Sequence, residues 1–367
     1  MTVPKKHVLP ILILALISLL SAIWAGWSRI GWRIPVPPSG LVLNHGPLMT
    51  ICFLGSLISL ERAVALKKTW MFTAPILMGV AGLVLIAGIS SFSGKIILSL
   101  GSFIFVLIQI AIVLTHSALY TWALLAGALC ALIGNILWLG GYHVHQVVWW
   151  WAFFLVYTIA GERLELGRVV RLPLFARIMF TALCTLALLG LISTTMKISL
   201  GYTLIGICLL GLGAWFLRYD IARKAILRSV QNNLQLTRYI AIALLLGFVW
   251  LALSGITVIL FSFPPAGLIY DSILHMLFIG FVFSMIFGHA PIILPSLFGL
   301  RFNFESMLYF PLILLHLSLT LRIWGDLSRQ VILRSWGGLL NGIAILLFLG
   351  LMLVTIYKSK VGFREVL

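Results

Sequence analysis

Long uninterrupted runs of apolar residues, each close to the roughly 20 residues that cross a bilayer as a helix, alternate along the chain with short polar joints. The pattern predicts twelve spans, at 8–30, 41–66, 70–90, 95–116, 119–140, 146–166, 174–194, 199–217, 237–262, 268–295, 305–324 and 335–357. Pro4, Pro35, Pro37, Pro38, Pro173, Pro264 and Pro265 fall in or beside the joints, as helix breakers should. The first run, Val8 to Gly26, follows Lys5 and Lys6 and carries no small-x-small cleavage site, so it reads as a retained first helix and not as a signal peptide. The expected fold class is therefore all-α, a polytopic membrane protein of about 12 transmembrane helices in a single transmembrane domain, residues 1–367.

Composition agrees. Of 367 residues, 62% are hydrophobic and 9% charged, and the mean hydropathy is +1.17. A soluble fold carries about a quarter of its residues as charged groups. That excludes a soluble enzyme, a disordered chain and a secreted disulfide scaffold. Cys52, Cys130, Cys184 and Cys208 lie singly in apolar runs with no CxxC spacing, and read as small buried hydrophobes.

The net charge of +17 sits in the joints and not in one patch, so it reads as topology and not as a nucleic-acid surface. With twelve spans, the side that holds both termini receives 18 Lys and Arg and the other side 7. The excess places both termini in the cytoplasm of a bacterial inner membrane protein. The longest polar stretch, Arg218 to Arg238, is expected to face anionic lipid and water.

A weak internal repeat accompanies the spans. The second opens with His45 and closes with Glu61-Arg62, the sixth opens with His143-Val144-His145 and closes with Glu162-Arg163, and the tenth opens with His275 and closes near His289-Ala290-Pro291. This suggests three four-helix units whose second helices line a shared interior.

Ionisable groups inside a bilayer are functional candidates by default. His45 and His275 begin helices that run in the same direction, near the outer face. Two neutral imidazoles facing one another across an apolar cleft supply the axial ligands of a b-type haem, and Gly46, Pro47 and Gly280 leave room for a flat ring. The plainer reading is a histidine hydrogen-bonded to a neighbouring helix. His289 lies 14 residues beyond His275, about 21 Å along a regular helix and about 40° around it, and suits a second cofactor, a proton path or an interhelical hydrogen bond. His143 and His145, ahead of Trp149, Trp150 and Trp151, form an HxH pair that suits copper if another ligand joins them. The alternative is an interfacial loop anchored by an aromatic belt. Glu61-Arg62 and Glu162-Arg163 are expected to pair across helices as a brace or to form a proton uptake point. His116 and His316 read as helix-packing residues. Arg29, Arg33, Arg329 and Arg334, on the less basic side, are either solvated loop charges or partners for haem propionates.

The segments His45-Gly-Pro-Leu-Met, continuing through Phe53-Leu-Gly-Ser-Leu-Ile-Ser-Leu-Glu-Arg, and His275-Met-Leu-Phe-Ile-Gly-Phe-Val-Phe-Ser-Met-Ile resemble the histidine-led second and tenth spans of the NnrS family. These are twelve-span bacterial membrane proteins associated with haem, copper and the response to nitric oxide, and distantly similar to the catalytic subunit of haem-copper oxidases. The resemblance implies that His45 and His275 are haem ligands. The chain departs from the oxidase pattern where a second haem ligand would stand two residues from the first, since Ile273 and Leu277 occupy those positions, and the seventh span has no histidine. Oxygen reduction of the usual kind is not expected.

The sequence thus points to a haem protein in nitric oxide handling, electron transfer or redox sensing. One haem b would lie between the second and tenth helices, with copper at His143 and His145. Its partners would be the lipid bilayer, a redox partner and a small diatomic gas such as nitric oxide, and no nucleic acid. The alternative is a secondary transporter or membrane assembly factor without haem.

Overall fold

A computed structural model describes residues 5–32, 34–35, 38–169, 172–297 and 302–364. The protein is 87% helical with no strand among the described residues. Among the described residues twelve helices are long and apolar enough to cross a membrane: α1 (Val8–Arg29), α2 (His45–Leu66), α3 (Thr69–Ala87), α4 (Ser91–Thr115), α5 (Leu119–Leu139), α6 (Val144–Leu166), α7 (Leu174–Thr195), α8 (Leu200–Gln231), α9 (Gln235–Phe261), α10 (Leu268–Ser296), α11 (Ser306–Leu327) and α12 (Val331–Lys358). Eleven of them match the runs read from the sequence to within a few residues, and α8 continues past the expected end at 217 to Gln231.

Compactness divides the chain after α6, into Met1–Glu165 and Leu166–Leu367. In the first unit α6 is enclosed: every residue from Val147 to Gly161 is buried, although its mean hydropathy, 1.2, is low among the spans. Glycines bring α5 against it. A Cβ at Gly127 would stand 2.9 Å from the Phe154 carbonyl oxygen, and one at Gly134 2.8 Å from the Trp151 ring. Such small residues let helices associate where lipid provides no hydrophobic drive. Trp151 donates from Nε1 to Asn135 Oδ1 at 3.0 Å, and Asn135 donates from Nδ2 to Ser102 Oγ at 2.7 Å, tying α6, α5 and α4 together.

The enclosure overturns the aromatic-belt reading of the tryptophans. Trp149, Trp150 and Trp151 are buried at 1%, 5% and 0% exposure, inside the first unit. Three consecutive indoles span about 200° of a helix's circumference, and the burial of every residue from Val147 to Gly161 closes the remaining side.

In the second unit α8 and α9 pack through glycine in the same way, with Gly213 facing Phe248 and Ala252 and Gly206 facing Gly255. Two spans contain a π-helix among the described residues. In α2, Leu48–Gly55 forms a π-helix. In α10, Met276–Phe283 does so too, immediately after His275.

Candidate functional site

Within the first unit, His45 opens α2 against α1. Its Nδ1 lies 2.7 Å from the Ala22 carbonyl oxygen. Opposite an acceptor, that nitrogen carries the proton, so Nε2 carries the lone pair. The approach depends on Gly26, one turn along α1. A Cβ there would stand 3.0 Å from His45 Cε1 and 3.4 Å from Nδ1.

In the second unit His275 is held in the same tautomer from its own helix. Its Nδ1 lies 2.7 Å from the Asp271 carbonyl oxygen and 3.4 Å from Asp271 Oδ1. The Asp271 carboxylate is clamped by Arg322 of α11, with Nε donating to Oδ2 at 2.8 Å and Nη2 to Oδ1 at 2.9 Å. Arg334 of α12 stands between the two acids of the cluster, its Nη2 3.6 Å from Asp271 Oδ1 and its Nε 3.0 Å from Asp326 Oδ1. Ser272 Oγ donates to Asp326 Oδ2 at 3.1 Å. Two carboxyl groups and two guanidinium groups thus meet inside the unit. A bidentate fork of this kind fixes orientation as well as energy.

Sequence reasoning missed Asp271, Arg322 and Asp326. Their signal was present. Asp271 and His275 are four apart on one helix, as are Arg322 and Asp326, and such spacing stacks each pair on one face.

Both π-helices end in the same way. The Ser56 N–H bonds to the Phe53 carbonyl while its hydroxyl donates to the Cys52 carbonyl at 2.6 Å. The Ser284 N–H bonds to the Phe281 carbonyl while its hydroxyl donates to the Gly280 carbonyl at 2.6 Å. In each case the side chain takes the carbonyl four residues back while the main chain takes the one three back. Single-turn π segments inside α-helices are concentrated at functional sites.

The π segment in α10 also changes the geometry beyond it. A regular helix would set His289 about 40° around from His275, but Met276–Phe283 intervenes with i→i+5 pairing, so the regular wheel does not apply. His289 donates from Nδ1 to the Met285 carbonyl at 2.7 Å. His316 is engaged at both ring nitrogens: Trp250 Nε1 donates to its Nδ1 at 3.0 Å, and its Nε2 lies 3.4 Å from Ser284 Oγ.

The other candidates fall as follows. His143 and His145 stack with ring centres 5.7 Å apart at the start of α6. No group of three His, Cys, Asp or Glu side chains that could hold a metal ion occurs among the described residues. The HxH pair therefore brings two ligands, fewer than copper or zinc takes from protein. Arg62 bridges α2 to α6, pairing with Glu162 at 3.1 Å and Glu165 at 3.5 Å, which is the cross-helix brace expected of the Glu-Arg motifs. The His116 ring packs on Tyr120. Arg29 reaches the Val42 carbonyl at 3.4 Å. Arg329 is exposed in a turn with φ of 58°, and Arg33 lies outside the described residues. Arg334, expected beside a propionate, already faces Asp326 and Asp271.

The donor set suits a haem iron in one respect. A histidine that gives its Nδ1 proton to a carbonyl presents a fixed, basic Nε2, the form in which imidazole binds iron. No curated protein matches the chain. A family model matches residues 8–357, nearly the whole chain, and by it the protein belongs to the family described as a domain of unknown function, DUF8744.

Proposed function

We propose that the protein is a haem-binding protein of the bacterial inner membrane, with both termini cytoplasmic, acting in nitric oxide response, electron transfer or redox sensing. His45 in the first unit and His275 in the second serve as iron ligands, each through Nε2. The observation that carries the reading is the shared tautomer, in which both imidazoles donate Nδ1–H to a main-chain carbonyl at 2.7 Å. A haem would supply an iron that changes oxidation state by one electron. The chain's own part is to fix the two rings, through Ala22 and the Gly26 gap for His45 and through Asp271 and its arginines for His275. Copper at His143 and His145 would need a further ligand from outside the described residues.

The test is a reduced-minus-oxidised optical spectrum of the detergent-purified chain, expressed with ample haem, beside His45→Ala and His275→Ala, with haem counted per chain. The expected result is a six-coordinate b-type spectrum in the wild type that each variant alters or loses. A colourless wild type, or a spectrum unchanged in both variants, refutes the proposal.

One observation favours a second reading. Asp271, Asp326, Arg322 and Arg334 form a network of carboxyl and guanidinium groups within spans of the second unit, and such networks also line substrate or proton paths in secondary transporters. A colourless protein that moves protons or a solute across proteoliposomes, and loses that movement in Asp271→Asn, would decide for it.

A further inference from the structure

The polar stretch from Arg218 to Arg238, expected to face anionic lipid and water, is mostly helix and includes the last ten residues of α8. The chain leaves the apolar part of α8 at Tyr219, turns at Asp220, and continues as a separate helix, Ala222–Gln231. Asp220 drives the restart, since its Oδ1 accepts from the Ala222 N–H at 2.7 Å. The far end is closed by Asn232, whose Nδ2 donates to the Arg228 carbonyl at 3.0 Å, and by Asn233, which takes φ of 51° to turn the chain into α9.

This short helix has three faces. Ala222 and Ser229 are buried and turn toward the protein. Leu227 and Val230, one turn apart, are 65% and 56% exposed, and Leu234 follows at 48%. Lys224 and Arg228 are exposed on the flank beside them, Arg223 is exposed one turn ahead of Leu227 on the aliphatic face itself, and Arg218 and Arg238 are exposed at either end. Asp220 is the sole acid between Arg218 and Arg238, and it is buried at 7% exposure. The surface therefore presents five cations and a strip of large aliphatic side chains with no exposed carboxylate within that stretch.

That combination fits one environment. In water the aliphatic strip would be unfavourable, and in hydrocarbon the cations would be, but at the boundary the strip enters the acyl region while guanidinium and ammonium groups meet phosphate. We propose that the Ala222–Gln231 helix is an anionic-phospholipid site, in which Arg223, Lys224 and Arg228 bind the headgroup phosphate and Leu227, Val230 and Leu234 sit among the acyl chains. The site is independent of any haem. Its chemistry selects an anionic phospholipid over a zwitterionic one by charge, and a lipid over free phosphate by the aliphatic strip.

The experiment adds dioleoylphosphatidylglycerol or dioleoylphosphatidylcholine in equal amounts to the full detergent-solubilised chain and counts retained lipids by native mass spectrometry across a titration. Phosphatidylglycerol should be retained and phosphatidylcholine not. In Arg223→Gln/Lys224→Gln/Arg228→Gln the retention should weaken on the order of 100-fold, from the usual contribution of each basic residue near an anionic surface. Lys67→Gln/Lys68→Gln, at an exposed basic pair between α2 and α3, should retain the lipid as the wild type does. If the triple variant fails to fold, Arg228→Gln alone should weaken retention about fivefold. Leu227→Asn should weaken it while leaving every cation in place. Equal retention of the two lipids, an unchanged triple or single variant, or an equal loss in the Lys67/Lys68 variant overturns the proposal. Displacement of the lipid by millimolar inorganic phosphate alone overturns it in favour of a free-phosphate site.

Discussion

Gly280 lies within the π segment of α10, where a side chain has no room. A Cβ built there stands 2.5 Å from Trp250 Cγ and 2.6 Å from Trp250 Cβ. The indole is also held from its other end, because its Nε1 donates to His316 Nδ1 at 3.0 Å. Gly280→Ala must therefore push α9 and α10 apart or rotate the indole off His316. Overpacking of this kind costs about 1–3 kcal/mol, and the lost hydrogen bond adds about 0.5–1.5 kcal/mol. A total near 3 kcal/mol corresponds to a fall of roughly 6–12 °C in the apparent Tm of a unit this size. Thermal unfolding in detergent, followed by the fraction that remains monodisperse, measures it. The control is a cycle with Trp250→Leu. If the clash is with the indole, Gly280→Ala should cost less than about 1 kcal/mol in the leucine background, and the coupling should exceed the roughly 0.5 kcal/mol scatter of independent sites. An unchanged Tm in Gly280→Ala, or additive losses in the double variant, would refute the reasoning.

Three further outcomes follow from the charge networks and the histidine seat. Arg322→Met removes the bidentate partner of Asp271 and leaves a buried carboxylate, so the second unit should lose about 3–5 kcal/mol in the same unfolding assay, with part restored by adding Asp271→Asn. In the first unit Arg62→Gln should destabilise clearly more than Glu165→Gln, because the Glu162 pair is shorter and more enclosed than the Glu165 pair; equal effects would count against the brace. Gly26→Val should drive the His45 ring off the Ala22 carbonyl, and under the haem reading it should alter the optical spectrum as His45→Ala does while the chain stays folded.

The spans were legible because hydrocarbon demands about twenty apolar residues wherever a helix crosses it, and little else in a sequence is that long and that uniform. The same uniformity hid the π-helices. Leu48–Gly55 and Met276–Phe283 contain one polar residue between them, Thr50, so no polar marker records the phase of the backbone. The Arg62–Glu162 brace was legible because charge inside a span must find charge. The Asp271–Arg322 clamp obeys the same rule, and Asp271 and Asp326 could have been found by asking which acids stand four residues from a base on a span. The tryptophans of α6 misled because an aromatic cluster near a span's end ordinarily marks the lipid interface, and only packing reveals that this span lies inside. The helix at Ala222–Gln231 was not legible because its three basic residues outweigh its aliphatic ones when the segment is averaged, which leaves only a polar stretch expected to face anionic lipid and water.

A π segment in a membrane span requires its own account, because a regular α-helix would satisfy the backbone there without help. In this chain the same remedy occurs in each unit. Ser56 and Ser284 stand at the first position after the π segment, and each hydroxyl donates to the carbonyl four residues back at 2.6 Å. Ahead of each segment stands a histidine whose Nδ1 proton is given to a main-chain carbonyl at 2.7 Å. The surroundings differ, since His45 is seated by a glycine gap in α1 and His275 by an aspartate clamped to two arginines. Packing alone gives no reason for two spans with unrelated neighbours to share the order of histidine, widened turn and serine. A requirement on the histidine itself does. A widened turn changes the direction in which the rest of the span leaves the histidine, so ring and span can be set separately, and a fixed tautomer keeps Nε2 as the basic nitrogen. Under the haem reading those are the needs of a ligand, and it is the widened turn beside the histidine that sets His45 and His275 apart, since His289 gives its Nδ1 proton to the Met285 carbonyl at the same 2.7 Å.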